Sequence, residues 1–296
     1  MDNVAVILVN YKTVDCVIEC VESIKNQTYH SISIYVVDND SKDDCKKRVE
    51  SHWSDVVVIE NTENLGFSGA NNIGIKKALD DGAQYFMLLN CDTWIPPKYI
   101  DNLVTELKKD TTIGMISGKI LYYYDQSIIW SAGGKINRLK GSPDVYGFKQ
   151  KNSVAKKKLT DCTFISGCCM LIPVDAYKNV GNMNEDYFLY YEDTDYCSRF
   201  IKAGYRLVTD NKSEMLHKES VSTGKKSGLY SYYFARNRLH FIKLNIQGPV
   251  KSLAYAYSYL WIMKKIITGE FNAKAALWGI RDFILNITGK SKIIFK

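Results

Sequence analysis

No Cys-x-x-Cys pair occurs among the eight cysteines of this 296-residue chain, so a structural zinc site has no support. No G-x-G-x-x-G follows the first apolar run. Asn10-Tyr11-Lys12-Thr13 stands there instead, which argues against a nicotinamide dehydrogenase. The Gly-rich basic phosphate loop expected of a nucleotidyltransferase is missing from the same place. Val4-Ala5-Val6-Ile7-Leu8-Val9 is too short to span a membrane, and no basic segment or small-residue cleavage site accompanies it, which argues against a secretory signal. Internal repeats and low-complexity segments are absent as well.

What is present describes a chain able to bury a core. Hydrophobic residues make up 46% and charged residues 24%, enough for one large α/β domain or one domain with an appendage. Several cysteines sit in apolar segments such as Ile165-Ser166-Gly167-Cys168-Cys169-Met170-Leu171. They read as small buried hydrophobes, reduced, in a cytoplasmic protein. Charge is uneven. Residues 211–296 hold 15 Lys+Arg against 4 Asp+Glu, and the first 210 residues hold 24 against 28. An acidic body with a basic tail implies an anionic partner for the tail, either nucleic acid or a membrane surface.

The first 120 residues alternate apolar runs with amphipathic stretches. Strands are expected at Val4–Asn10, Ile32–Val37, Val56–Ile59 and Tyr85–Leu89. Helices are expected at Cys16–Asn26, Ala70–Asp81 and from Pro96-Pro97 to about Lys109. Strands apolar throughout suit a mostly parallel sheet covered on both faces, in a Rossmann-like nucleotide-binding layout. From 111 to 160 the pattern loosens into expected hairpins and a mobile loop at Lys156-Lys157-Lys158. A strand Thr163–Pro173, a helix from about Glu192 to Ala203 and a strand Arg206–Thr209 follow. Beyond 228 the sequence is helical and aromatic.

Three acidic positions can carry chemistry. Val36-Val37-Asp38-Asn39-Asp40-Ser41 ends a strand, where ligands of open α/β sheets bind, although these residues can equally form a turn and cap a helix. Asn90-Cys91-Asp92 ends another. Its first and third side chains share a face, and Asp92 can link Mg²⁺ or Mn²⁺ to a diphosphate or merely cap a turn. Glu192-Asp193-Thr194-Asp195 follows Phe188, Tyr190 and Tyr191, aromatics able to desolvate a carboxylate and lift its pKa toward use as a base. Favourable placement in a first helical turn is the alternative account, and the aromatic setting tips the reading toward a base. His217 lies downstream, as a metal ligand or a structural histidine. Arg236 and Arg238, set among Tyr232-Tyr233-Phe234, can clamp a phosphate or snorkel over aromatics. Leu253–Met263 with Lys264-Lys265 suits a membrane-surface helix, with Tyr255, Tyr257, Tyr259 and Trp261 as interfacial anchors, or an ordinary docking helix.

Five segments in order make the chain resemble the family 2 glycosyltransferases of GT-A fold over roughly residues 3–240. They are Val6-Ile7-Leu8-Val9-Asn10-Tyr11, Val37-Asp38-Asn39-Asp40-Ser41, Asn64-Leu65-Gly66-Phe67-Ser68-Gly69-Ala70-Asn71-Asn72-Ile73-Gly74, Leu88-Leu89-Asn90-Cys91-Asp92 and Tyr190-Tyr191-Glu192-Asp193-Thr194-Asp195. The third and fifth look most like the rhamnosyltransferase branch. The resemblance implies an inverting, metal-dependent transferase with a GT-A domain over residues 1–225. That domain divides into a nucleotide-binding half to about 110 and an acceptor-binding half, and a helical extension covers 226–296. It implies that Asn10, Tyr11, Asp38, Asn39, Asn72, Asn90, Cys91 and Asp92 serve the nucleotide, and that Asp92 and His217 hold Mg²⁺ or Mn²⁺. Asp193 would be the base, with Glu192 as its understudy. Implied partners are a nucleotide-diphosphate sugar, a glycan or lipid-linked acceptor in cell-surface polysaccharide synthesis, the inner membrane face and a homodimer, but no nucleic acid. Asn90 stands where the family's D-x-D has its first acid, and Asn184-Glu185 where the branch often has Asp-Glu.

Overall fold

The computed structural model describes residues 2–153, 157–219, 227–293 and 295. The chain opens with β1 (Val4–Asn10), α1 (Val14–Lys25), β2 (Ile32–Asp38), α2 (Cys45–His52), β3 (Val56–Glu60), α3 (Gly66–Asp80) and β4 (Tyr85–Asn90). Strand β1 lies parallel between β2 and β4, and β3 continues parallel beyond β2. Successive residues of β1 serve opposite cores, which is why the run is apolar throughout. Val4, Val6 and Leu8 pack with α1, whereas Ala5 and Ile7 pack with Ala70, Ile75 and Ala78 of α3. Each Val, Leu or Ile side chain among them contributes about 1.5–3 kcal/mol by leaving water, and each Ala less.

The second stretch holds β5 (Thr93–Trp94), α4 (Tyr99–Lys109), β6 (Ile113–Tyr122), β7 (Ile129–Ser131), β8 (Gly134–Asn137), β9 (Ser142–Val145), β10 (Leu159–Cys162), β11 (Cys169–Pro173), α5 (Val174–Val180), α6 (Glu192–Lys202) and β12 (Arg206–His217). Three helices end the chain: α7 (Gly228–Asn245), α8 (Val250–Ile267) and α9 (Ala273–Ile284). The main sheet runs β10-β12-β6-β11-β4-β1-β2-β3, with β5 on β12 and β7 on β6. It is mixed: β11 is antiparallel to β4, while β12 is parallel to β6. The protein is therefore α/β, with helices flanking a central sheet and a helical C-terminal segment.

Three expectations about this second stretch are corrected. The region 111–160 does contain the β8–β9 hairpin, but it also supplies β6, a ten-residue strand buried in mid-sheet. The expected strand Thr163–Pro173 forms a continuous ladder only from Cys169, with a single isolated bridge at Phe164 to Gly134 before it. There, Thr163 and Phe164 turn their N–H groups to the Gly134 carbonyl, and Gly167 turns its N–H to Asp193. The expected strand Arg206–Thr209 runs on to His217 past a register shift between Asp210 and Glu214. Within the expected mobile loop, Lys156 lies outside the described residues, and Lys158 is ion-paired to Glu106 at 2.6 Å. All eight cysteines are buried and free.

Two close approaches lock neighbouring segments together, one between the terminal helices and one at the start of α3. Gly279 of α9 crosses α7 so tightly that a Cβ there would lie 2.4 Å from the Tyr232 carbonyl oxygen. Gly66, at φ +74°, opens α3 against the Phe188 carbonyl, which a Cβ would meet at 2.3 Å.

Candidate active site

A cavity of about 1050 Å³ opens at the carboxyl edge of β1, β2 and β4 and extends to the C-terminal helices. Its near wall holds Tyr11, Asn39, Asn90, Cys91 and Asp92, delivered side by side by the parallel ladder. Asn39 is locked by the loop before α3: its Nδ2 donates to Asn64 Oδ1 and Gly66 O, and its Oδ1 accepts from Asn61 and Leu65.

Asn10 does not line this cavity. It is fully buried, and its Nδ2 donates to Asp38 Oδ1, Ser41 and Asp43. Asp38, Asp43 and Cys45 lie within 4.8 Å of one another, close enough for a cation. The Asn10 amide already serves both carboxylates, however, and burial pushes the Cys45 thiol to about 12, so it is no thiolate ligand. Asn72 also lies elsewhere. Its amide donates to Met183 O and Glu185 and accepts from Met183 N–H, beside a smaller groove of about 420 Å³.

Asp92 and His217 meet through strand pairing. Thr93 of β5 stands opposite His217 of β12, and Lys218 N–H donates to Asp92 O at 2.9 Å. This brings His217 Nε2 to 3.2 Å from Asp92 Oδ1, both nearly buried. Trp130 packs edge-on against the imidazole at 4.5 Å, and the ring's Nδ1 has no hydrogen-bond partner among the described residues. An oxygen and a nitrogen this close, aimed into one cavity, fit two donors to one divalent cation such as Mn²⁺.

Glu192 and Asp193 open α6 on the far wall. Asp193 Oδ2 accepts from Gly167 N–H at 3.1 Å, and Oδ1 accepts from Thr194 N–H and its hydroxyl. Burial raises the Asp193 carboxyl above the usual range, against these donors, which favour its ionised form. Burial pushes Glu192 well up, and the charge of Asp193 adds to this; Glu192 Oε2 has no partner among the described residues. One carboxyl has three donors and the other's free oxygen none, so the charge of the pair settles on Asp193.

Asp193 is preceded by an unusual arch. Phe188, Tyr190 and Tyr191 have φ of 62°, 68° and 74°. Non-glycine residues in this region cost about 1–3 kcal/mol each unless the surroundings enforce it. Asn237 of α7 does so, its Nδ2 donating to the carbonyls of Tyr187, Leu189 and Tyr190 at 2.8, 2.7 and 2.9 Å. Arg236 adds bonds to the carbonyls of Asp186, Tyr187 and Gly289.

Arg236 is therefore corrected as a phosphate or acceptor contact. It is 1% exposed, outside the cavity lining, and its guanidinium is spent on backbone carbonyls and on the Asn237 and Tyr232 side chains. Arg238 does line the cavity, stacked over Trp261 at 4.3 Å and bonded to Ser258 and the Lys140 carbonyl. Of the residues singled out from sequence, Tyr11, Asn39, Asn90, Cys91, Asp92, Glu192, Asp193, His217 and Arg238 line the cavity; Asn10, Asp38, Asn72 and Arg236 do not. Sequence reasoning passed over Trp130, the Gly167 N–H and Asn237. Only the rarity of Asn inside an aromatic helix could have flagged the last.

The pattern of glycosyl transferase family 2 matches residues 5–181. The chain belongs to that family. Among curated relatives, a low-salt glycan biosynthesis hexosyltransferase, Agl10, from Haloferax volcanii is 29% identical over 80% of this chain and 75% of its own. An N-acetylglucosaminyl-diphospho-decaprenol L-rhamnosyltransferase from Mycobacterium tuberculosis is 26% identical over 69% and 72%. A mannosyltransferase from Pyrobaculum calidifontis, solved with GDP-Man and Mn²⁺, shares the fold at TM-score 0.61 and 17% identity, covering 96% of this chain and 80% of that one. TarS 1–349 of S. aureus, solved with UDP-GlcNAc, does so at 0.63 and 13%, covering 96% and 81%. The fold is GT-A.

Proposed function

We propose that this chain is an inverting, metal-assisted glycosyltransferase acting on a nucleotide-diphosphate sugar. The preferred donor is dTDP-rhamnose and the acceptor a glycan or lipid-linked saccharide of cell-surface polysaccharide. What carries the reading is one cavity faced by the Asp92–His217 pair and by Asp193. Rhamnose rests on the mycobacterial relative and on the segments quoted above.

Tyr11, Asn39, Asn90 and Cys91 receive the nucleotide on the near wall, with Asp38 and Asn10 supporting the edge behind them. Asp193 takes the proton of the acceptor hydroxyl as its oxygen bonds the anomeric carbon from the face opposite the leaving group. The bond to the diphosphate oxygen breaks, and the nucleoside diphosphate departs with the electron pair. No protein acid is needed for such a leaving group. Asp92 and His217 would hold the cation, which when bound supplies charge neutralisation worth several kcal/mol. A positioned base contributes about 10²–10⁴-fold.

No helix among the described residues is long and apolar enough to cross a membrane. We place the enzyme in the cytoplasm, reversibly bound to the anionic inner membrane face through α8. Its outer side exposes Leu253, Leu260, Met263 and Ile267 beside Lys264, within the basic tail. The expected aromatic anchors are corrected here: Tyr255, Tyr259 and Trp261 pack inward around Ile262 and Phe271, and only Tyr257 is exposed.

Donor hydrolysis across dTDP-, UDP- and GDP-sugars with Mg²⁺ or Mn²⁺ tests the reading. The expected outcome is fastest release of dTDP from dTDP-rhamnose, loss of turnover in EDTA, and a metal requirement raised about tenfold or more in His217→Ala. Full turnover in chelator would remove the metal from the mechanism.

A further inference from the structure

We infer that Asn237 is a positioning residue for the base: through the arch Phe188–Tyr191 it fixes where Asp193 stands relative to the donor loop. The inference rests on the reading of Asp193 given above. Asn237 is fully buried, and its side chain makes no contact with the cavity. Its Oδ1 is taken by Arg236 Nε at 2.8 Å, which fixes the amide's orientation and leaves both Nδ2 protons for the three arch carbonyls.

The arch has two far ends. At one, Phe188 O accepts the Phe67 N–H at 2.8 Å, beside Gly66, whose missing Cβ permits the contact. Gly66 and Phe67 line the donor side of the cavity. At the other, Tyr191 is the N-cap of α6, and Asp193 lies in the first turn. Tyr191 O accepts the Asp195 N–H at 2.9 Å, so the left-handed residue sets the direction in which the helix leaves. One buried amide therefore couples the donor loop to the base.

Phe188 is held in part by a tight local turn, closed by the Leu189 N–H donating to the Tyr187 carbonyl at 2.7 Å. All three positive-φ residues are nonetheless aromatic, without the short side chains that stabilise this region in Asn or Asp. Removing the amide frees the arch to return to ordinary backbone conformations, and a displacement of about 1 Å at a catalytic group costs about 10²-fold. The donor loop keeps its own ties when the arch relaxes, through the Asn39 amide to Asn64 Oδ1 and Gly66 O, so donor binding is expected to change little.

The test is Asn237→Ala in the full chain, assayed for kcat and donor KM, beside Ile262→Val in α8 as a packing control and Asp193→Asn. Expected are a kcat lowered about 10²-fold with donor KM within about twofold, partial recovery in Asn237→Ser, whose hydroxyl can donate once, and unchanged kcat in Ile262→Val. Near-normal kcat in Asn237→Ala, or kcat and KM failing together as in general unfolding, overturns the assignment. If Asn237→Ala does not fold, the same split read in Asn237→Ser decides. A fully active Asp193→Asn would sink the base reading; an inactive one with a normal Asn237→Ala sinks only the positioning role.

Discussion

The near wall of the cavity is assembled from strand ends adjacent in the sheet, whereas the wall bearing Asp193 is assembled from segments far apart in the chain. Tyr11, Asn39 and Asp92 follow β1, β2 and β4, whose parallel ladders fix their spacing before any side chain is considered. Asp193 depends on the Gly167 N–H after β10, on the left-handed arch, and on Asn237 some 44 residues further on. The first construction spreads its cost over many backbone hydrogen bonds. The second concentrates it in a few buried side chains, so single substitutions on the far wall are expected to change chemistry more than binding.

The sharpest way to break that contrast is Asp193→Asn. Amide for carboxylate keeps the shape and two of the hydrogen-bond positions but removes the proposed base. Turnover is expected to fall by about 10²-fold or more while donor affinity stays within about twofold. Single-turnover rates with calorimetric donor titration read both quantities. Wild-type turnover would transfer the role to Glu192, and Glu192→Gln would then have to abolish it.

The contrast also runs through what the sequence disclosed. Apolar runs ending in Asn or Asp announce β1, β2 and β4 because both faces of those strands are covered, and the five segments follow from that local pattern. The rest of the site is half legible. Asp193 and Glu192 stand out as an acidic cluster, and His217 as one of four histidines. Their geometry is not local: His217 reaches Asp92 only because β12 continues past an irregularity to pair with β5. Arg236 was misread for the same reason. An arginine flanked by aromatics has the same local sequence whether it meets a phosphate or backbone carbonyls, and only the arch, 49 residues away, tells them apart. Asn72 resembles a pocket residue but faces Met183 and Glu185, which α3 meets only in the folded chain.

A smaller effect is expected on the outer surface of α8. The wild-type chain should sediment with vesicles containing anionic phosphatidylglycerol at low salt and release at high salt, as screening weakens about 1 kcal/mol per lysine or arginine near the surface. Leu260→Glu, at an exposed site, should weaken binding several-fold without changing hydrolysis of donor in solution. Binding unaffected by this change, or a concentration-dependent dimer lost in the same variant, would make α8 an interface between copies.

The smallest expected effect compares two buried carboxyls that lean in opposite directions. Glu192 is pushed up from its ordinary 4.5 by burial and by Asp193. Glu106 of α4 is held below 4.5, first by its hydrogen bond from Lys158, against the cost of burial. For Glu192 the folded state keeps a proton that the unfolded chain has released, so stability declines as pH rises from about 4.5 toward the raised folded value. Glu192→Gln does not titrate, so its melting temperature should match wild type near pH 4 and exceed it increasingly toward pH 8. For Glu106 the folded carboxyl is the better ionised, so its contribution is present above the ordinary value and lost as pH falls through the depressed one. Glu106→Gln should therefore melt below wild type at pH 7 and approach it in acid. Shifts of about 2–4 °C per kcal/mol are expected for a chain of this size. Melting curves of both variants from pH 4 to 8 decide the matter: a Glu192→Gln curve that parallels wild type across the range would mean that Glu192 is ionised in the folded protein, and that the charge of the pair does not reside on Asp193 alone.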